Sequence, residues 1–361
     1  MEFVRFVGLV ELARRESGSK EVVRSMASAD PIKINDVAAL LADSYGICGN
    51  LSRLPGENIN YLVTTAADER FVFKLAGEAQ TSAFLELEHR AVERAHAAEL
   101  GIRLPRLIIT RSGENEGRYP ISEGALLRGR LIEFVPGTPW SDAGLSTPER
   151  LRELGRILAG LDLALADVEL LAAHRTHCWD LTMAAQHRAS VARIENPAKR
   201  RILERSFHLY AACAAPRLER LPHSLIHADA NDENVLVENG RIVGLLDFGD
   251  CLFNPTICEL AIAATYAMFD RPDPLQVGAE IVAGYHSERP LMRDELEVLF
   301  PLICGRLSVT VTVAAERHRI APDHPNWFVT EQRAWDLLEC LADVDPADAV
   351  SELTSRIELV Y

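Results

Sequence analysis

The chain has 361 residues, 48% hydrophobic and 25% charged, with a formal net charge of −15. That is ordinary globular composition, long enough for two lobes, and its acidity argues against a nucleic-acid partner while suiting a cationic substrate. Seven cysteines without a C-x-x-C pair fit a reducing cytoplasm, and the most apolar run, residues 300–315, carries Arg306 and reads as a buried helix, not a membrane span.

Residues 1–30 are of mixed polarity, lack a signal-peptide pattern and read as an N-terminal extension. Residues 35–45 have helical spacing behind an Asn/Asp cap, with Gly46 and Gly49 ending the helix. Strand-like runs follow at 60–65 and 71–75, joined by a polar turn, and then a helical pattern from 81 to 100 stopped by Gly101. Two further strands are predicted at 107–110 and 126–135, separated by the turn-rich residues 112–119. Pro136-Gly137-Thr138-Pro139 reads as a linker. Helices are predicted near 147–167 and 196–220, and the chain is helical in period from about 256 onward. Strands followed by helices predict an α+β fold, divided into a sheet-bearing lobe over 31–135 and a helical lobe over 136–361.

Between the last two helical regions lies the chemistry-bearing segment, residues 227–250. His227-x-Asp229 and Asn234 stand in an H-x-D-x-x-x-x-N frame, followed by Asp247-Phe248-Gly249. Asn239-Gly240 between the β-branched runs 234–237 and 242–246 predicts a hairpin that brings Asn234 and Asp247 to neighbouring strand ends. Phosphoryl transfer needs such a set. Asp229 would take the proton of the attacking hydroxyl, and Asn234 and Asp247 would hold Mg2+ on the phosphates of ATP or GTP. His227 reads as a buried ring that holds the loop in shape. Ala228 replaces the arginine that pairs with an activation-loop phosphate in protein kinases, and little chain separates Gly249 from the next helix. Both features point to a small-molecule substrate.

Of the 38 basic residues only Lys20, Lys33, Lys74 and Lys199 are lysines, and Lys74 sits inside the apolar run 71–75. It would pair with donor phosphates, steadied by Glu88 or Glu86 on the next helix; Glu88 borders the apolar stripe and is favoured. Gly56 and Asn60, in the loop before the first strand of this pair, would cover the phosphates. Glu133 and Val135 precede the linker, where a purine base would bond to backbone. Trp179, Asp180, Asp250 and Glu259 are candidates for binding a cationic acceptor through carboxylates and an aromatic face. Glu259 has a competing structural reading, a tie to Arg306 or to the catalytic segment.

At these residues the sequence resembles the aminoglycoside phosphotransferase/choline kinase family, from about residue 31 to the end. The resemblance rests on His227-x-Asp229…Asn234, Leu246-Asp-Phe-Gly-Asp250 and Glu259-Leu-Ala. Most of that family has Gly at position 228. Within it the chain is most similar to the hydroxylysine kinase branch, through residues 231–236, 244–250, 276–284 and 304–306. The resemblance implies a protein-kinase-like fold, with a small antiparallel-sheet N-lobe and a mainly helical C-lobe. It implies phosphorylation of a hydroxyl on a small amine or amino acid, 5-hydroxylysine first, with GTP the donor expected for that branch. Aminoglycosides, choline or ethanolamine, and homoserine are rival acceptors. A non-catalytic nucleotide-binding regulator is the rival of another class, against which the joint presence of Lys74, Asp229, Asn234 and Asp247 speaks.

Overall fold

The computed structural model describes residues 32–54, 59–76, 81–120, 126–144, 147–322 and 327–358. The N-terminal extension and Gly56 lie outside the described residues. Helix α1 (Ile34–Tyr45) ends at Gly46 in a left-handed cap, as the sequence predicts. Strands β1 (Gly49–Arg53), β2 (Ile59–Thr65), β3 (Arg70–Ala76), β4 (Leu107–Ile108), β5 (Gly117–Pro120) and β6 (Leu126–Glu133) form an antiparallel sheet. Its order is β1-β2-β3-β6-β4, with β5 also on β6.

Alternation gives the sheet two unlike faces. Tyr61, Phe73 and Leu131 are register partners across β2, β3 and β6, and are 2%, 0% and 0% exposed. They pack with Val37, Leu41 and Tyr45 of α1 in a separate small core. Asn60, Lys74 and Arg130 are register partners too, one residue along, and so stand together on the opposite face. Helix α2 (Ser82–Ala97), capped by Thr81 Oγ1 accepting from Phe84 N–H, buries Glu88 as its one acid.

The C-terminal lobe is built on helices. Helix α3 (Pro148–Leu165) starts with a Thr147 cap and Pro148, and α4 (Pro197–Leu209) with an Asn196 cap and Pro197. Helix α5 (Ile257–Ala267) is buried on every side. Helices α6 (Pro274–Glu288), α7 (Arg293–Ile320), α8 (Glu331–Leu341) and α9 (Pro346–Leu353) complete the lobe. Helix α7 is long and apolar enough to cross a membrane, but is almost wholly buried. Ser308, Thr310 and Thr312 bond back to the carbonyls of Cys304, Arg306 and Ser308, which satisfies hydroxyls in this dry setting. Strand β7 (Thr138–Pro139) joins the hairpin of β9 (Val235–Glu238) and β10 (Arg241–Leu245), while β8 (His223–Ile226) pairs with β11 (Leu252–Pro255).

Several expectations change. Strand β1 was not predicted, because Gly-Asn-Leu-Ser-Arg is an exposed edge without apolar alternation. The helix predicted at 196–220 is broken by a π-helical turn at Tyr210–Ala214. The strand predicted at 107–110 shrinks to two residues.

Candidate active site

Strand β8 leads directly into the loop that carries His227 and Asp229. His227 is 0% exposed, and its Nε2 donates to Leu246 O at 2.9 Å, which leaves Nδ1 to accept from Asp229 N–H at 3.2 Å. The ring packs edge-on against Phe248, so it ties the loop to the Asp-Phe-Gly turn. Ala228 is held at φ +64°, a left-handed conformation unusual for a residue with a Cβ, and its N–H donates to Glu259 Oε2 at 2.7 Å. Glu259 is 0% exposed. It anchors the loop backbone and is not available to an acceptor, which corrects that expectation.

Asp229 is held at both carboxylate oxygens. Asn234 Nδ2 donates to Oδ2 at 2.9 Å and to the Asp229 carbonyl, and Arg306 Nη2 donates to Oδ1 at 3.3 Å. Arg306 comes from the middle of α7, is 2% exposed, and also donates to Tyr266 Oη at 3.1 Å. Burial and the nearby Asp250 charge push the Asp229 carboxyl well above its usual range, with the Arg306 guanidinium working against them.

Asp247 follows the β9–β10 hairpin, whose Asn239 and Gly240 take φ of 52° and 70°, the pair of left-handed residues a tight two-residue turn requires. Asp247 itself sits at φ 57°, and its Oδ1 lies 2.8 Å from Lys74 Nζ. The Lys74 charge holds the Asp247 carboxyl down at about 2. The Asp-Phe-Gly half of the motif therefore meets the half-buried Lys74.

The expected Lys74–Glu88 pair is not formed. Glu88 does face inward and Glu86 outward, where it accepts from Asn115, but Glu88 contacts Arg130 Nη1. Burial pushes the Arg130 guanidinium down to about 10, opposed by the Asp247 charge. Asn60 lies beside Lys74 with its Oδ1 buried and without a hydrogen-bond partner among the described residues. Glu133 is exposed at the end of β6 and its N–H is already bonded to Arg106 O at 2.8 Å. Val135 is buried against Gly244, where an added Cβ would meet Val135 Cγ1 at 2.8 Å.

No group of three His, Cys, Asp or Glu that could hold a metal occurs among the described residues. A magnesium ion riding on nucleotide phosphates takes only one or two protein oxygens. The Asp247 carboxylate and the amide oxygen of Asn234, whose Nδ2 is engaged by Asp229, fit that need.

With this geometry in view, the profile of the phosphotransferase enzyme family matches residues 50–296, which take in the sheet, the catalytic loop and the Asp-Phe-Gly turn. The chain belongs to this family. The phosphotransferase is 27% identical to a hydroxylysine kinase of Mus musculus over 350 residues, covering 89% of this chain and 92% of the relative. It is 29% identical to a homoserine kinase of Methylobacterium nodulans over 258 residues, covering 69% and 73%. Its fold is similar to that of a microcompartment-associated aminopropanol kinase, with TM-score 0.68 and 19% identity over 89% of this chain and all of the other. The kinase-like fold with a sheet-bearing N-lobe and a helical C-lobe is thereby shown.

On the acceptor side of the phosphotransferase the expectations fare unevenly. Asp250 lies near Asp229, its Oδ1 3.5 Å from His177 Nε2. Asp180 is buried and spends its Oδ1 on Thr182 N–H at 2.9 Å and Asn254 Nδ2 at 2.8 Å. It is a helix cap and not an acceptor contact. The Trp179 ring has the guanidinium carbons of Arg306 and Arg317 at 5.0 and 5.3 Å from its centroid, so protein cations already stack on it. Sequence reasoning did not assign Arg130, Arg306 and His177 to the site. An arginine inside the apolar strand 126–135 is the same signal that singled out Lys74, drowned here in an arginine-rich chain.

Proposed function

We propose that this phosphotransferase moves the γ-phosphoryl group of GTP or ATP to the hydroxyl of a small amine or amino acid, with 5-hydroxylysine the best single acceptor. The observation that carries the reading is the Asp229 carboxylate, fixed at both oxygens and close enough to feel the charge of Asp247, which pairs with Lys74. The acceptor oxygen forms a bond to the γ-phosphorus as the bond to the β–γ bridging oxygen breaks. Asp229 orients the hydroxyl and receives its proton, and its raised proton affinity suits it to that task. Mg2+, held by Asn234 and Asp247, supplies charge neutralisation on the phosphates when bound. Lys74 meets the donor phosphates, and the backbone at Val135 receives the base, the Glu133 N–H being already bonded to Arg106 O.

In this reading residues 31–135 are the nucleotide-binding lobe and 136–361 carry the catalytic loop and acceptor pocket, in a cytoplasmic enzyme. The acceptor choice rests on the relatives: hydroxylysine and homoserine, for which those kinases are named, are both hydroxylated amino acids. In this reading Asp250, close to Asp229 and 3.5 Å from His177 Nε2, takes the acceptor's ammonium.

The test is a coupled nucleoside-diphosphate release screen with ATP and GTP against hydroxylysine, homoserine, ethanolamine, choline and aminoglycosides. Release with hydroxylysine supports the reading. Release only with aminoglycosides, or with none of these acceptors, overturns the assignment.

A further inference from the structure

The inner face of the N-lobe sheet carries a second half-buried cation beside Lys74. Arg130 is the direct register partner of Lys74 across β3 and β6, as Asn60 is across β2 and β3, so the three form one row. The Arg130 side chain is 12% exposed and touches Glu88, which is 6% exposed. Lys74 reaches past both to Asp247 at 2.8 Å. The two acids are themselves neighbours: a Cβ added at Gly249 would meet Glu88 Oε1 at 2.9 Å and Asp247 Oδ1 at 3.1 Å. Two cations and two carboxylates thus share one small volume. Each buried charge needs an opposite partner, and a charge stripped of its partner there is far more damaging than the loss of the pair. Glu88 is the one acid α2 buries, and its contact with Arg130 joins the inner face of that helix to β6, while Ser82 at the helix start accepts from Arg118 of β5. Among the described residues Lys74 pairs with Asp247, whose carboxylate is also the one suited to a metal.

We propose that Arg130 is a positioning residue of the donor site: it holds Glu88 in the place expected of Lys74, and so leaves the Lys74 ammonium for the donor phosphates once Asp247 turns to the metal. The division of labour rests on the proposed kinase reading, but it is tested by binding alone, with no acceptor present. Affinities of Mg2+ with the non-hydrolysable analogues AMP-PNP and GMP-PNP are measured calorimetrically for the full chain and for R130M, E88Q, K74M, R130M/E88Q and K74M/E88Q. Thermal melting without nucleotide accompanies each variant.

R130M is expected to weaken analogue binding about tenfold or more, and adding E88Q to bring it back to within about threefold of the wild type, because the orphaned carboxylate is gone. The melting temperature follows the same pattern. K74M is expected to weaken binding with no recovery on adding E88Q. Should R130M not fold, R130K and R130K/E88Q take its place with the same comparison. Recovery in K74M/E88Q but not in the Arg130 double variant would overturn the proposal, as would wild-type affinity in R130M. Analogue binding without turnover of any acceptor would sink the proposed function while this cycle still decides the role of Arg130. A wild-type chain that binds neither analogue would sink both.

Discussion

Ala228 and Asp229 show how much of the site is decided residue by residue. A left-handed residue with a Cβ is strained by about 1–2 kcal/mol, and the Glu259 bond to its N–H is what holds it. Ala228→Gly is therefore expected to raise stability by about 0.5–1 kcal/mol, the relief being partly offset by glycine's extra chain entropy. Equilibrium urea denaturation measures this, and an unchanged or lowered midpoint would contradict the account of the strain. Asp229 must be ionised to accept a proton, and both its burial and Asp250 raise its pKa. The acid limb of kcat/KM should then lie above the usual aspartate value of about 3.9. Removing the Asp250 charge in Asp250→Asn should move that limb to lower pH. Asp247 behaves oppositely. Its pKa is depressed to about 2, so its pairing with Lys74 is intact above about pH 4, the unfolded value, and is lost as pH falls toward about 2. A pH series of melting temperatures should show that loss in the wild type and less of it in K74M.

At the scale of elements, what is local in the chain was legible and what is long-range was not. The hairpin around Asn239-Gly240 could be read because two left-handed residues between apolar runs have few other uses. The starts of α3 and α4, read near 147 and 196, are equally local: a Thr or Asn cap is followed by a proline whose missing N–H the first turn does not need. The partner of Glu88 was not. It depends on which residue of β6 lies opposite Lys74, and a one-residue slip would have put Leu131 there in place of Arg130. The π-helical turn at Tyr210–Ala214 breaks no sequence rule either; Tyr210 is turned inward there, its hydroxyl donating to the carbonyls of Leu181 and Thr182. Helices α3 and α6 pack backbone to backbone through glycines. A Cβ at Gly284 would come 2.0 Å from Arg152 O, and one at Gly155 2.2 Å from Ile281 O. Gly284→Ala should push the helices apart and destabilise by about 1–3 kcal/mol, read by urea denaturation. No loss of stability would mean the helices are less tightly joined than described.

At the scale of the molecule, the charged side chains of the candidate site come from both the sheet and the helical part. The row Asn60–Lys74–Arg130 belongs to the sheet, and Asp229, Asn234, Asp247 and Asp250 to the loops at the head of the helical lobe. The salt bridge from Lys74 to Asp247 is where they meet. The long helix α7 serves both purposes: its apolar body fills the core, and Arg306 at its middle reaches Asp229. This explains how a helix apolar enough for a membrane carries a buried arginine. The central claim is that Asp229 accepts the proton in phosphoryl transfer to a small hydroxylated amine. Its most direct test is nucleoside-diphosphate release with hydroxylysine by the wild type and by Asp229→Asn, alongside calorimetric binding of the nucleotide analogue. The account predicts that Asp229→Asn lowers kcat by about 10²–10⁴-fold while analogue affinity stays within about threefold of the wild type. Turnover by Asp229→Asn at the wild-type rate would contradict it.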